Sequence, residues 1–367
     1  MSKNILHLMG MDSTKYGGIE RYNIELADQL RKKGYHSVFV YESYPLVQQF
    51  ADDIYTVGAE LVVINSRQNI WKFCKEIWKL YKQYDFCTIH AHFTKARFYA
   101  LPLAVVYGIK NRLYTIHSTM EPLHKIKFHT RLWYWWINKR CRVVAVSKQI
   151  EHVSRLNWPN AIIRNLYLGI KECSGDKVIA RKELNIHPNK MVILTIANFN
   201  YIKGLDVLCQ AVKILANANK MVDVEVYIVG QPQDDRDELQ KQIRQLGLET
   251  YIHMEGIKNN ISTYLHASDI YVQTSRYEGL PLALMEATSV GLPIVATKVG
   301  GIPEIAQQNR NSLLFTSEDY QMLADNLALL LHDNDLRIRY GNESELVYKE
   351  SFCLKDNVAK LINHYNL

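Results

Sequence analysis

Short apolar segments alternate with amphipathic helical patterns along almost the whole chain of 367 residues. Residues 5–9 and 36–41 are predicted strands, and the helical pattern of residues 18–33 lies between them. Nearly continuous apolar strands separated by helices are typical of a parallel sheet that helices cover on both faces. Because the pattern restarts at residues 191–197, the sequence predicts a second α/β sheet of the same kind.

The small, polar stretch of residues 171–176 is the predicted connection between the two sheets. Chain length also favours two domains of roughly 150 residues each. We therefore predict an N-terminal domain over residues 1–170 and a C-terminal domain over residues 177–350. Ligands of such folds bind at the C-terminal ends of the strands, so we expect a central cleft that both domains face.

Composition argues against several classes of protein. A hydrophobic fraction of 48% is ample for buried cores. The six cysteines include no Cys-x-x-Cys pair, which argues against a disulfide framework or a zinc site and favours reduced thiols. No signal peptide fits the first residues, and the longest apolar run is about half of the ~20 residues that a membrane span needs. We expect a cytoplasmic protein, either soluble or peripheral at the inner face of the cell membrane.

Charge is distributed unevenly between the two halves. Residues 1–170 contain 24 Lys and Arg against 12 Asp and Glu, whereas the remainder contains 20 against 25. A basic half favours an anionic partner, either a membrane surface or a lipid-linked diphosphate. Nucleic acid is not expected, because the sequence contains no recognition motif for it. An ordinary basic surface is the remaining alternative.

The segment 275–286 contains a predicted anion site. Pro281 suits the first turn of a helix, and Gly279 allows a ligand to approach the backbone closely. The amides of Gly279, Leu280 and Leu282 would lack partners, as amides at a helix start do, and would attract a phosphate.

Two carboxylates flank this predicted helix start. Glu278 precedes the anion site, and Glu286 lies about one and a half turns into the helix. This arrangement suits a nucleotide-sugar, with one acid near the group attached to the phosphate and the other near hydroxyls. The alternative is a surface helix with two solvated glutamates.

Gly17 and Gly18 follow the first predicted strand and open a helix, where backbone amides can face a diphosphate. A tight strand-to-helix loop that needs glycine is the alternative. The dinucleotide fingerprint G-x-G-x-x-G and the P-loop are both absent from the sequence. His90 and His92 have a weak metal-like spacing without a third ligand nearby, so we expect them to be cleft-lining or structural.

Residues 125–140 form a predicted helix that is both basic and aromatic. Such a helix suits a membrane interface. Packing of its tryptophans into the core of the first domain is the alternative, and the pattern slightly favours it because it is not one-sided.

Several ordered segments of the second half resemble the retaining GT-B glycosyltransferases of family 4. The resemblance is carried by residues 268–275, 277–281, 286–287, 291–297 and 300–305. It implies a GT-B fold, with two Rossmann-like parallel-sheet domains facing a central cleft and a last helix, about 351–367, that returns to the first domain. It also implies transfer of a sugar from a nucleotide donor without a metal or other cofactor.

The resemblance assigns roles to individual residues. Gly17 and Gly18 match a pair of glycines near the donor phosphates and the acceptor. His117 matches a histidine close to the donor sugar, Lys203 matches a lysine on the donor phosphates, and Ile257 lies where the family holds the base through the backbone.

Asn198 departs from the family pattern. It stands where the family usually has an arginine that also binds the donor phosphates, so one positive charge and a bidentate donor are lost. Arg276 is the candidate substitute because it is near Glu278 in the sequence.

The resulting hypothesis is a retaining glycosyltransferase whose second domain binds a nucleotide-sugar, with UDP favoured, and whose first domain binds a saccharide or lipid-linked acceptor. Glu286 would bind the ribose and Glu278 the transferred hexosyl unit, in surface or exopolysaccharide biosynthesis. A sugar-nucleotide epimerase, a phosphorylase of the same architecture and a non-catalytic assembly subunit remain alternatives.

Overall fold

The structure is a computed structural model that describes residues 3–67, 69–117, 127–233 and 235–367, and of residues 94–96 it describes the backbone alone. The chain divides into two compact units. Unit 1 comprises Met1–Lys171 and Phe352–Leu367, and unit 2 comprises Glu172–Ser351. The predicted connection, residues 171–176, contains the point at which unit 1 gives way to unit 2.

Unit 1 is built on a seven-stranded sheet in the order β3-β2-β1-β4-β5-β6-β7, with every pairing parallel. The strands are β1 (Asn4–Leu8), β2 (His36–Tyr41), β3 (Glu60–Val63), β4 (Phe86–Ala91), β5 (Asn111–Ile116), β6 (Arg142–Ala145) and β7 (Ile163–Asn165). The central strand β1 pairs with β2 on one side and β4 on the other, so the strand order reverses beside it. Such a reversal opens a crevice at the carboxyl ends of the strands.

Helices connect these strands and cover the sheet. They are α1 (Gly18–Lys32), α2 (Gln48–Thr56), α3 (Ile70–Tyr84), α4 (Thr94–Tyr107), α5 (Phe128–Asn138) and α6 (Lys148–Asn157). The last helix of the chain, α15 (Leu354–His364), also belongs to this unit. Ser147 accepts a hydrogen bond from the amide of Ile150 at 3.2 Å, which caps the start of α6.

Unit 2 is built on a six-stranded parallel sheet in the order β10-β9-β8-β11-β12-β13. Its strands are β8 (Met191–Ile196), β9 (Val224–Val229), β10 (Ile252–Gly256), β11 (Ile270–Gln273), β12 (Ile294–Thr297) and β13 (Ser312–Phe315). Here the order reverses between β8 and β11. The crevice of this unit is therefore expected where the loops after these two strands meet.

The helices of unit 2 follow the same alternation. They are α7 (Lys177–Glu183), α8 (Leu205–Asn217), α9 (Arg236–Leu246), α10 (Ile261–Ala267), α11 (Leu282–Ser289), α12 (Ile302–Ile305), α13 (Tyr320–His332) and α14 (Asn334–Ser351). A short 3-10 turn, Tyr201–Lys203, precedes α8. The chain thus has the predicted α/β class, with two Rossmann-like parallel sheets.

Four elements escaped the sequence prediction: α2, α7, α12 and β13. They are short, and β13 has only four residues, which is too few for an alternating or helical period to stand out. None of the helices among the described residues is both long enough and apolar enough to cross a membrane.

The helix α15 is held in unit 1 by an apolar face. Val358 and Leu361 are buried in a cluster that also contains Ile5, Tyr22 and Leu113 of that unit. The approach is close at Gly169, where an added Cβ would lie 2.5 Å from the Cα of Leu354. Burial of this face makes the end of the chain part of the first core rather than the second.

We predict that Leu361→Ala lowers the free energy of unfolding of unit 1 by roughly 2–5 kcal/mol, the usual cost of truncating a buried leucine. Tryptophan fluorescence in urea measures this unit selectively, because all six tryptophans lie between residues 71 and 158. Lys360→Ala, at an exposed neighbouring position, is the control. An unchanged fluorescence midpoint for Leu361→Ala would contradict the placement of α15.

Candidate functional site

The loops after β8 and β11 meet at the point of strand reversal in unit 2. Thr274 Oγ1 donates a hydrogen bond to the carbonyl of Lys203 at 2.8 Å, and the amide of Arg276 donates to the carbonyl of Ile202 at 2.7 Å. These bonds join one loop to the other through the backbone. Any side chain carried by either loop is thereby placed at the carboxyl ends of the central strands.

A salt bridge lies at this junction. Lys203 Nζ is 2.5 Å from Glu278 Oε1, and the side chains are 23% and 10% exposed. The structure thus brings together two residues predicted to bind a phosphate and a sugar. A cation and a carboxylate at this position can hold an anionic group and the hydroxyls attached to it.

Two glycines allow the surrounding backbone to pack this closely. A Cβ on Gly204 (φ +60°) would lie 2.2 Å from the carbonyl oxygen of Thr274, and a Cβ on Gly300 (φ +55°) would lie 1.8 Å from that of Glu278. Only glycine fits both the positive φ and the short approach. The loop after β12 therefore supports Glu278 from a second side.

Arg276, the candidate substitute for the missing phosphate-binding arginine, is already paired with two acids. Its guanidinium binds Asp206 at 2.6 Å and Glu318 at 2.6 Å and lies 3.9 Å from the ring centroid of Tyr201. Hydrogen bonds to both carboxylates raise the pKa of Arg276 further. The guanidinium also donates a hydrogen bond to the carbonyl of Tyr201 at 2.6 Å, which joins the loop of Glu278 to the loop of Lys203.

The helix α11 begins at Leu282, where the predicted helical pattern of residues 282–290 begins, but Pro281 precedes its first turn. Pro281 is its N-cap, with an extended ψ of 117°, and Leu282 is its first residue. The amides of Gly279 and Leu280 therefore belong to the preceding loop, and the carbonyl of Gly279 accepts a hydrogen bond from Gly301. The amide of Leu282 is among those that have no acceptor within the helix and point towards the crevice end of the sheet.

Glu286 is half-buried on α11 and acts electrostatically on the buried Tyr271 of β11. Asn198 is the second residue after β8 and is partly buried. Ile257 directly follows the edge strand β10 and is 66% exposed. Two strand spacings, roughly 10 Å, separate the ends of β10 and β8.

In unit 1, Gly17 and Gly18 form the start of α1 after β1. The amide of Gly17 donates a hydrogen bond to Glu20 Oε2 at 3.0 Å, and Ser13 donates to Glu20 Oε1 at 3.1 Å. Glu20 is 3% exposed, and sequence reasoning missed it. Its side chain satisfies the first amide of the glycine pair, so a phosphate there would have to compete with a buried carboxylate.

His117 follows β5 directly and contacts His92, which follows β4. The ring nitrogens His92 Nδ1 and His117 Nε2 share a hydrogen bond at 3.2 Å, and Phe93 stacks on His117. Burial and the positive charge of Arg97 lower the pKa of His117 to about 4. The imidazole is therefore neutral at physiological pH and can donate or accept a hydrogen bond.

Behind this pair lie further buried histidines. His90 is hydrogen-bonded to Tyr365 at 2.8 Å and Thr115 at 2.7 Å, which assigns it the structural role considered from the sequence. Burial lowers the pKa of His7 from 6.5 to about 3. Burial also holds the pKa of His90 and of His92 well below 6.5. Among the described residues, no group of three or more His, Cys, Asp or Glu side chains is arranged to hold a metal ion.

The helix α5 has two different faces, so neither sequence interpretation describes it fully. Tyr134 and Ile137 are buried in unit 1. Phe128, Leu132 and Trp135, spaced along the other face, are 73%, 50% and 55% exposed. Residues 125 and 126 of the predicted helix lie outside the described part of the chain.

Comparison with known proteins places these two units in one family. Residues 176–347 match the family model described as "Glycosyl transferases group 1", and residues 16–170 match the model described as "Glycosyltransferase Family 4". The chain belongs to the family 4 glycosyltransferases. The two matches lie almost entirely within unit 2 and unit 1, respectively.

Curated members of the family include two informative relatives. The N-acetyl-alpha-D-glucosaminyl L-malate synthase of Bacillus anthracis is 30% identical over 57% of this chain, and the match spans about half, 55%, of that protein. The UDP-Gal:alpha-D-GlcNAc-diphosphoundecaprenol alpha-1,3-galactosyltransferase of Escherichia coli is 22% identical over 89% of this chain and 87% of its own length.

A solved structure supports the fold. The Anabaena protein HepE, crystallised with UDP and glucose, superposes with a TM-score of 0.83 over the full length of both chains at 21% identity. At this identity the likeness shows the GT-B fold predicted for this family 4 member.

We predict that the stability of unit 1 falls as the pH falls below 6.5. In the unfolded chain His7 takes up a proton near pH 6.5, but in the folded unit it stays neutral until about pH 3, so protons favour the unfolded state across this interval. The free energy of unfolding should therefore rise with pH, and His7→Gln should reduce the slope of this dependence by roughly 1.4 kcal/mol per pH unit between pH 6 and 4. Urea unfolding followed by tryptophan fluorescence measures it, and an unchanged slope would contradict the burial of a neutral His7.

Proposed function

We propose that this family member is a retaining glycosyltransferase that moves a hexosyl unit from a UDP-sugar to a hydroxyl group of a saccharide or lipid-linked saccharide. The product would be part of a surface or extracellular polysaccharide. The Lys203–Glu278 pair at the strand reversal of unit 2 carries this proposal. It offers a cation for a diphosphate directly beside a carboxylate for the attached sugar.

In this proposal unit 2 binds the donor. Lys203 and the amide of Leu282 hold the diphosphate and stabilise its charge as it departs, which lowers the barrier to transfer. Glu286 binds the ribose hydroxyls, and the backbone at Ile257 holds the base. Asn198 supplies a neutral hydrogen bond in place of an arginine fork, so Lys203 provides the main positive charge.

Unit 1 binds the acceptor in this proposal. The neutral imidazole of His117 would bond to a sugar hydroxyl, with its ring oriented by His92. Gly17 and Gly18, at the start of α1, would contribute to the same binding site of this unit. Attack on the same face from which the diphosphate leaves would give retention, and neither a metal ion nor another cofactor is required.

The relatives favour UDP and a lipid-linked acceptor. The name of the Escherichia coli relative specifies UDP-Gal as donor and a diphosphoundecaprenol-linked acceptor, and the Anabaena structure contains UDP and glucose. The epimerase, phosphorylase and non-catalytic alternatives predict no release of UDP that depends on an acceptor. Acceptor-dependent release of UDP from UDP-glucose, UDP-galactose or UDP-N-acetylglucosamine, with the product anomer identified by NMR, therefore tests the proposal.

Membrane association forms a second part of the proposal. The exposed apolar face of α5 is accompanied by Arg131 and by Lys139, whose ammonium lies 4.1 Å from the ring centroid of Trp135. Apolar side chains beside basic ones suit the interface of an anionic membrane. A protein docked on the membrane in this way could bind a lipid-linked acceptor while the lipid stays in the same membrane.

We predict that Lys203→Met weakens UDP binding about tenfold or more, because a charge-assisted hydrogen bond to phosphate is lost. Glu278→Gln should do the opposite and strengthen UDP binding several-fold, because Lys203 no longer has to leave a carboxylate. Calorimetry with UDP measures both variants, and Lys220→Met, at an exposed position of unit 2, is the control. Glu278→Gln should nevertheless release UDP from UDP-sugars more slowly than the wild type.

Two results would contradict this assignment. Equal UDP affinity of the wild type and Lys203→Met would remove Lys203 from the phosphate site. Weaker UDP binding by Glu278→Gln would show that Glu278 does not compete with the phosphate for the lysine.

For the membrane, we predict that the protein sediments with vesicles containing 30% phosphatidylglycerol and less with pure phosphatidylcholine, with binding that weakens as salt rises. Replacing Phe128, Leu132 and Trp135 with serine should lower the partition coefficient about tenfold. The control replaces three apolar side chains of unit 2 that are 60–77% exposed, namely Val178, Ile179 and Val222. Equal losses in the two triple variants, or no loss in the first, would contradict docking through α5.

A further inference from the structure

The strand β11 places a row of polar side chains in the interior of unit 2. Tyr271, Gln273 and Ser275 are alternate residues of one extended segment, so their side chains point to the same face. They are 0%, 2% and 0% exposed, respectively. A buried glutamine is costly unless its amide is hydrogen-bonded on both sides.

The hydrogen bonds of this row run in one direction. Tyr271 donates to Gln273 Oε1 at 3.0 Å, and Gln273 Nε2 donates to Ser275 Oγ at 2.7 Å and to Glu278 Oε1 at 3.2 Å. Ser275 Oγ donates to the same oxygen of Glu278 at 2.9 Å. The phenol of Tyr271 donates to the amide oxygen of Gln273, so the amide nitrogen faces Glu278. The opposite orientation of the amide is unfavourable, because it would place the amide oxygen against a carboxylate.

Lys203 binds the same oxygen of Glu278 from the other side. A diphosphate that took Lys203 would remove one of the three donors to Oε1 and leave those from Gln273 and Ser275. The carboxylate would then keep its position while its lysine partner moved to the phosphate. Hydrogen bonds from described residues thus support Oε1 of Glu278, and we assign the second oxygen, Oε2, to the ligand.

We infer that Gln273 is a positioning residue for Glu278, which holds the carboxylate at the reacting sugar during the transfer proposed above. The inference rests on that proposed function and extends it to a residue buried behind the ligand. Among the described residues, the charged or titratable groups near Glu278 include Lys203 from the loop after β8 and Tyr271 on β11, and Tyr271 is also acted on by Glu286 of α11. A purely structural glutamine would affect stability without affecting turnover at the saturated site.

Two substitutions that keep the length of the Gln273 side chain test its positioning role. Gln273→Met keeps the volume and removes the donor, and it should lower kcat for UDP release about tenfold, with KM for the UDP-sugar within about twofold. Gln273→Glu places two carboxyl groups in contact, where both cannot remain ionised at the same time. A proton shared between them restores the lost donor, so the activity of this variant relative to the wild type should rise as the pH falls from 8 to 6.

The donor used is whichever of UDP-glucose, UDP-galactose and UDP-N-acetylglucosamine raises the melting temperature of the wild type most. The acceptor used is alpha-D-GlcNAc-diphosphoundecaprenol, the acceptor in the name of the Escherichia coli relative. A folded Gln273→Met protein with wild-type kcat overturns the inference. So does a Gln273→Glu protein whose activity relative to the wild type does not change with pH.

The crystal structure of Gln273→Met tests the inference separately from the proposed function. Glu278 Oε1 should lose its contact with Ser275 or occupy more than one position, whether or not the protein transfers sugar. A carboxylate that stays in place overturns the positioning role. A wild type that releases no UDP from any of the three donors in the presence of this acceptor overturns the proposed function instead.

Discussion

The salt bridge between Lys203 and Glu278 lies where the strand order of unit 2 reverses, and the rest of the site depends on it. It joins two loops that are far apart in the sequence, and both ends are partly withdrawn from water. Removing two charges from water costs free energy that their attraction does not always repay. Such a pair is therefore better explained by the ligand it can bind than by the stability it gives.

The surroundings keep both ends of this pair in place. Arg276 joins the two loops through the carbonyl of Tyr201 and through Asp206, and glycines at positions 204 and 300 let the backbone segments approach within contact distance. Behind Glu278, Gln273 supplies hydrogen bonds from the interior of the sheet. The site is thus preorganised, with its acid and its cation fixed by packing before any ligand arrives.

Unit 1 has a different chemical character. Unit 2 has a charged pair at its point of strand reversal, whereas unit 1 buries neutral histidines near the ends of its central strands. Burial keeps them uncharged and makes this unit sensitive to acid. Together with an exposed apolar face on α5, these features distinguish unit 1 from the charged strand ends of unit 2.

Much of this could be predicted from the sequence. Alternating apolar strands and helices indicated two parallel sheets. The segment 275–286 indicated that Glu278 and Glu286 flank a helix start, because strand ends and helix starts have strong local signals. The two ion pairs of Arg276 could not be predicted, because its partners Asp206 and Glu318 are distant in the sequence and only the fold brings them together. Glu20 and Gln273 were missed for a related reason: a polar residue inside an apolar segment shows its role only once its hydrogen-bond partners are known. A glutamine at the end of a strand of otherwise buried residues was the available signal.

The most direct test of this account is a crystal structure of the protein with UDP. We expect the diphosphate at the carboxyl ends of β8 and β11, with Lys203 Nζ within hydrogen-bonding distance of a phosphate oxygen and no longer bound only to Glu278. A nucleotide bound elsewhere, with the Lys203–Glu278 pair intact and no phosphate near it, would contradict the account.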